Sequence, residues 1–568
     1  MTTTQSAPVH YQVWPPGVPH DIDIPNHTLW DNLHNRAASD PDEIGMEFVG
    51  HTYTWKEFEQ QALWLAGAMQ NLGLKTGDRV LLFAQNCPQF AIGLHAAFRC
   101  GAVVVTINPM NKAAELAFSI SNSGAKYAIS AAEIAPELGL ANKQLDSEHQ
   151  LEHLIAFSTA DALPKPEQVP SVWRDWLCAK HELPALPNGS VHDWSSLIDK
   201  KQLPDELAIN PDDLALLMYT SGTTGNPKAC MHSHRTVMAN TIQPNLWQDM
   251  RKGDASLVVT PMFHVTGLIG CFLSAVYAGA KAVLMPRWDR RVVAQAIASQ
   301  NISHWTNIPT MVVDLLAEPE LDKFDLSSLR YIGGGGAAMP EAVAERLKTQ
   351  FGLDYIEAYG LTETAAPSHA NPSNAPRFQC LGIPVINTQA CILDIDTQLE
   401  AAIDDVGEIL IRGPQVFLGY WHNPKETDKA FIQLNGHKWF RSGDLGRVDA
   451  NGYFYIADRL KRMINASGFK IWPAEVENLL HRHPAIHEVC VIAKSDPYRG
   501  QTAKAVVVLK ATDKGQTTAD NIIAWSRDNM AVYKVPKEIE FVGSLPKGAT
   551  GKVMWKTLQA QQDESEKV

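Results

Sequence analysis

From Thr220 to Lys228 the chain reads Thr220-Ser221-Gly222-Thr223-Thr224-Gly225-Asn226-Pro227-Lys228, three threonines, a serine and two glycines leading to a lysine. Hydroxyls, backbone N–H groups that glycine lets approach closely, and one mobile ammonium together suit an anion. A phosphate ligand fits this pattern; a merely flexible surface loop fits the same composition. A Walker A loop would end in Gly-Lys-Ser/Thr, whereas Pro227 precedes Lys228 and Ala229 follows it, which disfavours a P-loop NTPase. No Gly-x-Ser-x-Gly elbow occurs, so a serine hydrolase is poorly supported.

The apolar run Leu214-Ala215-Leu216-Leu217-Met218 must position this loop and is predicted as a buried strand, with a helix expected from about Ser233. Strand, loop and helix N-terminus in that order would present N–H groups to an anion. Around it, helical periodicity over Trp55 to Leu72 and Pro88 to Phe98 alternates with short apolar runs at Val80 to Ala84 and Val103 to Ile107. The alternation recurs at 256–260, 282–300 and 329–351, so the fold class expected is α/β with doubly wound, mostly parallel sheets. Residues 160–190, rich in proline, read as a surface excursion. After about 390 the segments become strand-rich, and from 475 onward they read as a small α+β unit. A boundary near 460 therefore divides a large N-terminal domain, 1–460, from a small C-terminal one, 461–568, whose polar tail from Gln561 is expected to be disordered.

At 568 residues the chain exceeds one ordinary core, in keeping with two domains. A formal net charge of −13 gives no global attraction to nucleic acid or anionic lipid. Eight scattered cysteines without a CxxC pair argue against a zinc site or a disulfide framework and for a reducing compartment. The apolar stretch Ala91 to Ile107 is interrupted by His95 and Arg99 and is too short to span a membrane. No secretory signal is read at the N-terminus, and a cytoplasmic protein is expected.

The loop resembles the signature of the adenylate-forming, or AMP-binding, superfamily, and further segments follow in that family's order. They are Pro261-Met262-Phe263-His264, Gly333-Gly334-Gly335-Gly336-Ala337, Tyr359-Gly360-Leu361-Thr362-Glu363, Ser442-Gly443-Asp444, Arg459-Leu460-Lys461 with Gly468-Phe469-Lys470, and Leu545 to Lys552. The resemblance covers nearly the whole chain and is to the acyl-CoA synthetases in particular. It implies ATP, Mg²⁺ and coenzyme A as cofactor and co-substrates, and a mobile C-terminal domain.

By resemblance, Thr220, Ser221, Gly222, Thr223, Thr224 and Lys228 surround the β- and γ-phosphates, Thr362 meets the α-phosphate, and Glu363 holds Mg²⁺. Tyr359 would stack on adenine, Gly334, Gly335 and Ala337 would form a flat wall, and Asp444 with Arg459 would hold the ribose. Lys552 would bridge the carboxylate and the α-phosphate; Gly548, where the family more usually has threonine, loosens its loop without removing its charge. Lys461 falls at the hinge position, and Gly468 and Lys470 at the tunnel for the CoA thiol. His264, Thr266, Gly267 and Gly333 would line the acyl pocket.

Small and aliphatic residues there, with no charge suited to an α-ammonium, favour an apolar monocarboxylate. The expected reaction is activation of a medium- or long-chain fatty acid to acyl-AMP and transfer to CoA. Alternatives are an aryl or other small apolar acid, transfer to a carrier protein, or a non-catalytic acyl-adenylate sensor. The expected partners are small molecules, with no nucleic acid and no transmembrane segment, and a homodimer is left open.

Overall fold

A computed structural model describes residues 8–179, 181–220, 227–459, 462–466, 469–496, 499–548 and 553–566. The chain forms two compact units, residues 1–389 with 411–440, and residues 390–410 with 441–568. Compactness thus divides the chain at three points, 389/390, 410/411 and 440/441, each before the boundary expected near 460.

The first unit holds two large sheets. One runs, edge to edge, Gly419–Tyr420, Lys228–Ser233, Leu214–Thr220, Val103–Thr106, Arg79–Phe83, Tyr127–Ala131, His153–Phe157 and Ser190–Asp193. The six strands from Leu214–Thr220 to Ser190–Asp193 are parallel to one another, and Leu214–Thr220 is antiparallel to Lys228–Ser233 on its other side. Val103 to Val105 and Ala215 to Met218 are buried throughout, as apolar runs in strands covered on both faces are. The second sheet runs Ile383–Pro384, Ala366–Ala370, Tyr355–Leu361, Tyr331–Gly334, His304–Asn307, Ala255–Val258, Lys281–Leu284, Ile44–Phe48 and His51–Thr54.

The helices follow local rules. Trp55–Asn71 starts at Thr54, whose hydroxyl accepts from Glu57 N–H while the Glu57 carboxylate returns to Thr54, a reciprocal cap. Pro88–Arg99 opens on proline and is buried from Pro88 to Phe98, which explains why its sequence is apolar all round. It and the strand Val103–Thr106 are what became of the apolar stretch 91–107. Among the described residues no helix is long and apolar enough to cross a membrane.

In the second unit the strands Phe469–Ile471, Ile464–Ala466, Gly500–Leu509 and Ile486–Asp496 lie in that order, with Glu538–Phe541 also paired to Gly500–Leu509. Val476 and Leu480 of helix Pro473–Leu480 and Ile522 of helix Ala519–Asn529 close a core with Ile464, Val491 and Val507. All eight cysteines are free; seven are buried and Cys178 is half-buried.

Three expectations are corrected. A strand, Lys228–Ser233, stands between the glycine loop and the helix His234–Thr241, so the loop joins an antiparallel hairpin instead of opening a helix. The excursion at 160–190 contains the helix Ser171–Leu177, and Val169, Trp173 and Leu177 are buried in a core cluster. Gln561 to Ser565 of the polar tail are helical as the end of Trp555–Ser565, with Gln562 buried and accepting from the Lys504 ammonium at 2.7 Å, while Lys567 and Val568 lie outside the described residues.

Candidate active site

The hairpin Leu214–Thr220 and Lys228–Ser233 ends in the pair Thr220↔Lys228. Ser221, Gly222, Thr223 and Thr224 lie outside the described residues. Lys228 does not extend freely. Its Nζ donates to Glu426 Oε2 at 2.9 Å and lies 4.4 Å from the centre of the Tyr420 ring, a cation–π contact. Glu426 Oε1 accepts from Lys429 at 2.8 Å, and the two lysines, Lys429 foremost, hold its carboxyl down at about 2. The same Tyr420 turns its hydroxyl to Glu363 Oε1 at 2.7 Å, so one side chain touches both a predicted phosphate ligand and the predicted metal ligand. Tyr420 sits on the two-residue edge strand Gly419–Tyr420, where its N–H donates to Thr427 Oγ1 at 2.9 Å.

Thr362 and Glu363 form a tight turn that breaks from the strand Tyr355–Leu361 and returns as Ala366–Ala370. The return requires positive φ at two alanines in succession, Ala365 at 50° and Ala366 at 87°, a conformation costing about 1–3 kcal/mol per residue. Buried donors hold it. Asn240 Nδ2 donates to the carbonyls of Thr364, Ala365 and Pro367 at 2.8, 2.9 and 3.1 Å. His232 Nε2 lies 2.8 Å from the Thr362 carbonyl and must carry the proton, since a carbonyl only accepts. Burial lowers the His232 imidazole to about 4, so it is neutral at physiological pH.

This turn leaves Glu363 half-buried, with one carboxylate oxygen oriented by a phenol. Among the described residues there is no group of three or more His, Cys, Asp or Glu able to hold a metal ion. A lone carboxylate is the donor set that suits Mg²⁺ shared with phosphate oxygens, so Glu363 fits that ion and no all-protein cage is present among the described residues.

The glycine-rich segment is built for close backbone approach. A Cβ on Gly334 would stand 1.9 Å from the Asn307 carbonyl oxygen, and one on Gly335 2.0 Å from that of Ala358. Their identity is thus dictated by neighbouring strands, whatever ligand the wall also serves. Gly333 is tight against Ile356 in the same way, while Ala337 is exposed. Tyr359 is half-buried, its ring centre 5.7 Å from that of the buried His369.

Of the predicted acyl residues, His264, Thr266 and Gly267 follow the strand Ala255–Val258, while Gly333 lies in the strand Tyr331–Gly334. Buried Asn86 donates to the carbonyls of Val258 and Thr260, each at 3.1 Å, and accepts from Met262 N–H at 2.8 Å, strapping the segment before His264. Thr266–Leu273 then winds in wide, i→i+5 turns, a helix type often found at functional sites. His264 is half-buried with its ring 4.3 Å from Phe263, and Leu268 N–H donates to its carbonyl at 2.9 Å. A Cβ on Gly267 would meet the Pro261 carbonyl oxygen at 2.3 Å, so this glycine packs against backbone.

In the second unit, Asp444 is buried and directly opposite Arg459 in the antiparallel register. Its N–H donates to Ser442 Oγ at 3.1 Å. The turn rests on Glu408, itself buried, which accepts Arg441 Nε and Nη2 at 2.9 and 2.6 Å on one oxygen and Gly443 N–H at 3.0 Å on the other. Lys470 lies opposite Asn465 in a strand pair. Lys461, Gly468 and Lys552 lie outside the described residues.

The first unit thus brings Lys228, Thr362 and Glu363 into one network, and the second sets Asp444 across from Arg459. Sequence reasoning missed Asn86, His232, Asn240, Glu408, Tyr420 and Glu426. None of the six stands out locally: His232 and Asn240 lie in Ala229 to Asn240, where Ser233, His234, Arg235 and Thr236 are polar as well.

Family models for an AMP-binding enzyme and for an AMP-binding enzyme C-terminal domain match residues 33–421 and 475–552. A long-chain-fatty-acid–CoA ligase of Bacillus subtilis (strain 168) is 34% identical over 562 residues, 97% of this chain and 98% of that protein. A 4-coumarate–CoA ligase 2 of Oryza sativa subsp. japonica is 32% identical over 95% of this chain and 94% of its own length. A Mycobacterium tuberculosis fatty acyl CoA synthetase structure superposes with a TM-score of 0.73 at 27% identity, covering 95% of this chain and 99% of that one.

Proposed function

The chain belongs to the AMP-binding enzyme family, and from that premise we propose that it is an AMP-forming acyl-CoA synthetase acting on a medium- or long-chain fatty acid. In the first half-reaction a carboxylate oxygen attacks the α-phosphorus of ATP, the bond to the β-phosphate oxygen breaks, and acyl-AMP and pyrophosphate form. In the second the CoA thiolate attacks the acyl carbonyl and AMP leaves. A carboxylate would otherwise have to expel oxide, so exchange for AMP supplies the missing leaving group.

The Thr362–Glu363 turn carries this reading: a strained loop held by neutral buried donors keeps a hydroxyl and a carboxylate half-buried side by side, groups that suit a phosphate and a hard cation. Mg²⁺ on Glu363 would neutralise charge on the triphosphate. Thr362 meets the α-phosphate, the 220–228 loop with Lys228 surrounds the β- and γ-phosphates, and Tyr359 stacks on adenine beside Gly334, Gly335 and Ala337. Asp444 accepts from the ribose hydroxyls, with Arg459 beside it. Lys552 draws carboxylate and α-phosphate together, Lys461 is the hinge, Gly468 and Lys470 line the thiol path, and His264, Thr266, Gly267 and Gly333 face the acyl group. A cytoplasmic location suits eight free cysteines.

The long-chain relative favours a fatty acid. The rice relative favours a second reading, an aryl acid. Fatty-acid-dependent exchange of pyrophosphate into ATP tests the first half-reaction. Lys552→Ala is expected to reduce it by at least 10²-fold, the scale of losing one positioned charge, while thiolation of supplied acyl-AMP persists. Loss of neither activity overturns the assignment. A panel of fatty acids of increasing length beside 4-coumarate, scored by AMP release, separates the two acid classes.

A further inference from the structure

Lys228 is the one cation that the described part of the phosphate hairpin offers, and it is already engaged. Glu426 holds it at 2.9 Å from a helix, Pro424–Lys429, whose own Lys429 holds the other oxygen of the same carboxylate at 2.8 Å. The start of the helix is anchored as well: Asn423, at its cap, accepts Glu426 N–H on its side chain at 3.2 Å, and its carbonyl accepts the Thr427 hydroxyl at 2.9 Å. The face of Tyr420 supports the ammonium from the other side. Neither Lys228 nor Glu426 is deeply buried, with side chains 20% and 30% exposed, so the pair can open without stranding a charge.

We propose that Glu426 is a built-in competitor of pyrophosphate for Lys228, a positioning residue that takes the lysine back when the leaving group departs. This rests on the reading of Lys228 as a phosphate ligand. When phosphate oxygens arrive, the Lys228 ammonium passes from one anion to another and Glu426 stays neutralised by Lys429, so no uncompensated charge is created in either state. When the bond to the α-phosphate has broken, the same exchange in reverse lowers the affinity of the site for the product. Tyr420 contributes a fixed pivot, because its ring bears on Lys228 while its hydroxyl is tied to Glu363.

Two substitutions should act in opposite directions, which a loss of structure would not produce. Binding of inorganic pyrophosphate to the intact protein is measured by calorimetry, alongside its inhibition of acyl-CoA formation. Glu426→Gln keeps the shape and removes the charge; pyrophosphate should bind about twofold to fivefold more tightly, the worth of one partly exposed ion pair. Lys429→Met leaves Glu426 to Lys228 alone and should weaken binding by a similar factor, while Glu426→Asp should restore wild-type affinity. Unchanged or weaker binding in Glu426→Gln, or tighter binding in Lys429→Met, overturns the proposal. A Lys228→Met variant isolates the premise: if it binds pyrophosphate as the wild type does, Lys228 is no phosphate ligand and both readings fall, whereas weakened binding there with an inert Glu426→Gln removes only the competitor.

Discussion

Two turns in this protein each present a carboxylate, and they are held by opposite means. The Thr362–Glu363 turn of the first unit is propped by neutral groups, the Asn240 amide and the His232 imidazole, donating to backbone carbonyls against two unfavourable φ angles. The Ser442–Asp444 turn of the second unit is propped by charge, the buried Glu408 carboxylate gathering a guanidinium and a backbone N–H. A neutral prop fails by losing a donor or gaining a proton; a charged prop fails when one partner is removed and the other is left in the interior.

The largest effect expected is therefore at the charged prop. Arg441→Met strands Glu408 and should cost about 2–3 kcal/mol, below the range for a fully buried pair because the arginine side chain is 30% exposed. Adding Glu408→Gln should recover most of that in urea unfolding. A double variant no more stable than the single one would show that packing, and not charge, supports the turn.

Asn240→Ala removes one donor from three carbonyls and should cost about 2 kcal/mol. Because Thr362 and Glu363 shift with the turn, pyrophosphate exchange should fall by about 10- to 100-fold. A normal exchange rate in a folded Asn240→Ala protein would dissociate the prop from the chemistry.

The last effect is the proton's, absent at neutral pH and felt only in acid. The folded His232 value of about 4 lies below its ordinary 6.5, so the unfolded chain takes up a proton first as pH falls. The contribution of His232 is complete above 6.5 and is lost toward 4, amounting to about 2 kcal/mol at pH 5. His232→Gln retains a donor that does not titrate, so its urea midpoint should change less between pH 7.5 and pH 5 than the wild type's. Equal changes would assign the acid response to the other buried histidines, His95, His234, His304, His369 and His483, which burial also lowers.

Legibility in the sequence divides along the same line between local and distant causes. The helix 55–71 was readable because periodicity is local, and the parallel strands because double burial leaves unbroken apolar runs. The candidate site residues could be named from an ordered set of motifs. Their supports were not. His232 meets Thr362 across 130 positions, and Tyr420 meets Glu363 across 57, so no window of sequence contains both partners. Lys228–Ser233 escaped prediction because Lys-Ala-Cys-Met-His-Ser shows neither clean alternation nor an apolar run. Gln561 to Ser565 was misjudged because composition cannot show that Gln562 is buried against Lys504.

The distribution of thiols gives the two units separate clocks. Cys87, Cys100 and Cys271 in the first unit and Cys391 in the second are pushed up to about 12 by burial, so each is a poor nucleophile until its surroundings open. Alkylation followed site by site would then record how often each unit breathes, in one sample of unmodified protein, with half-buried Cys178 as the fast internal reference.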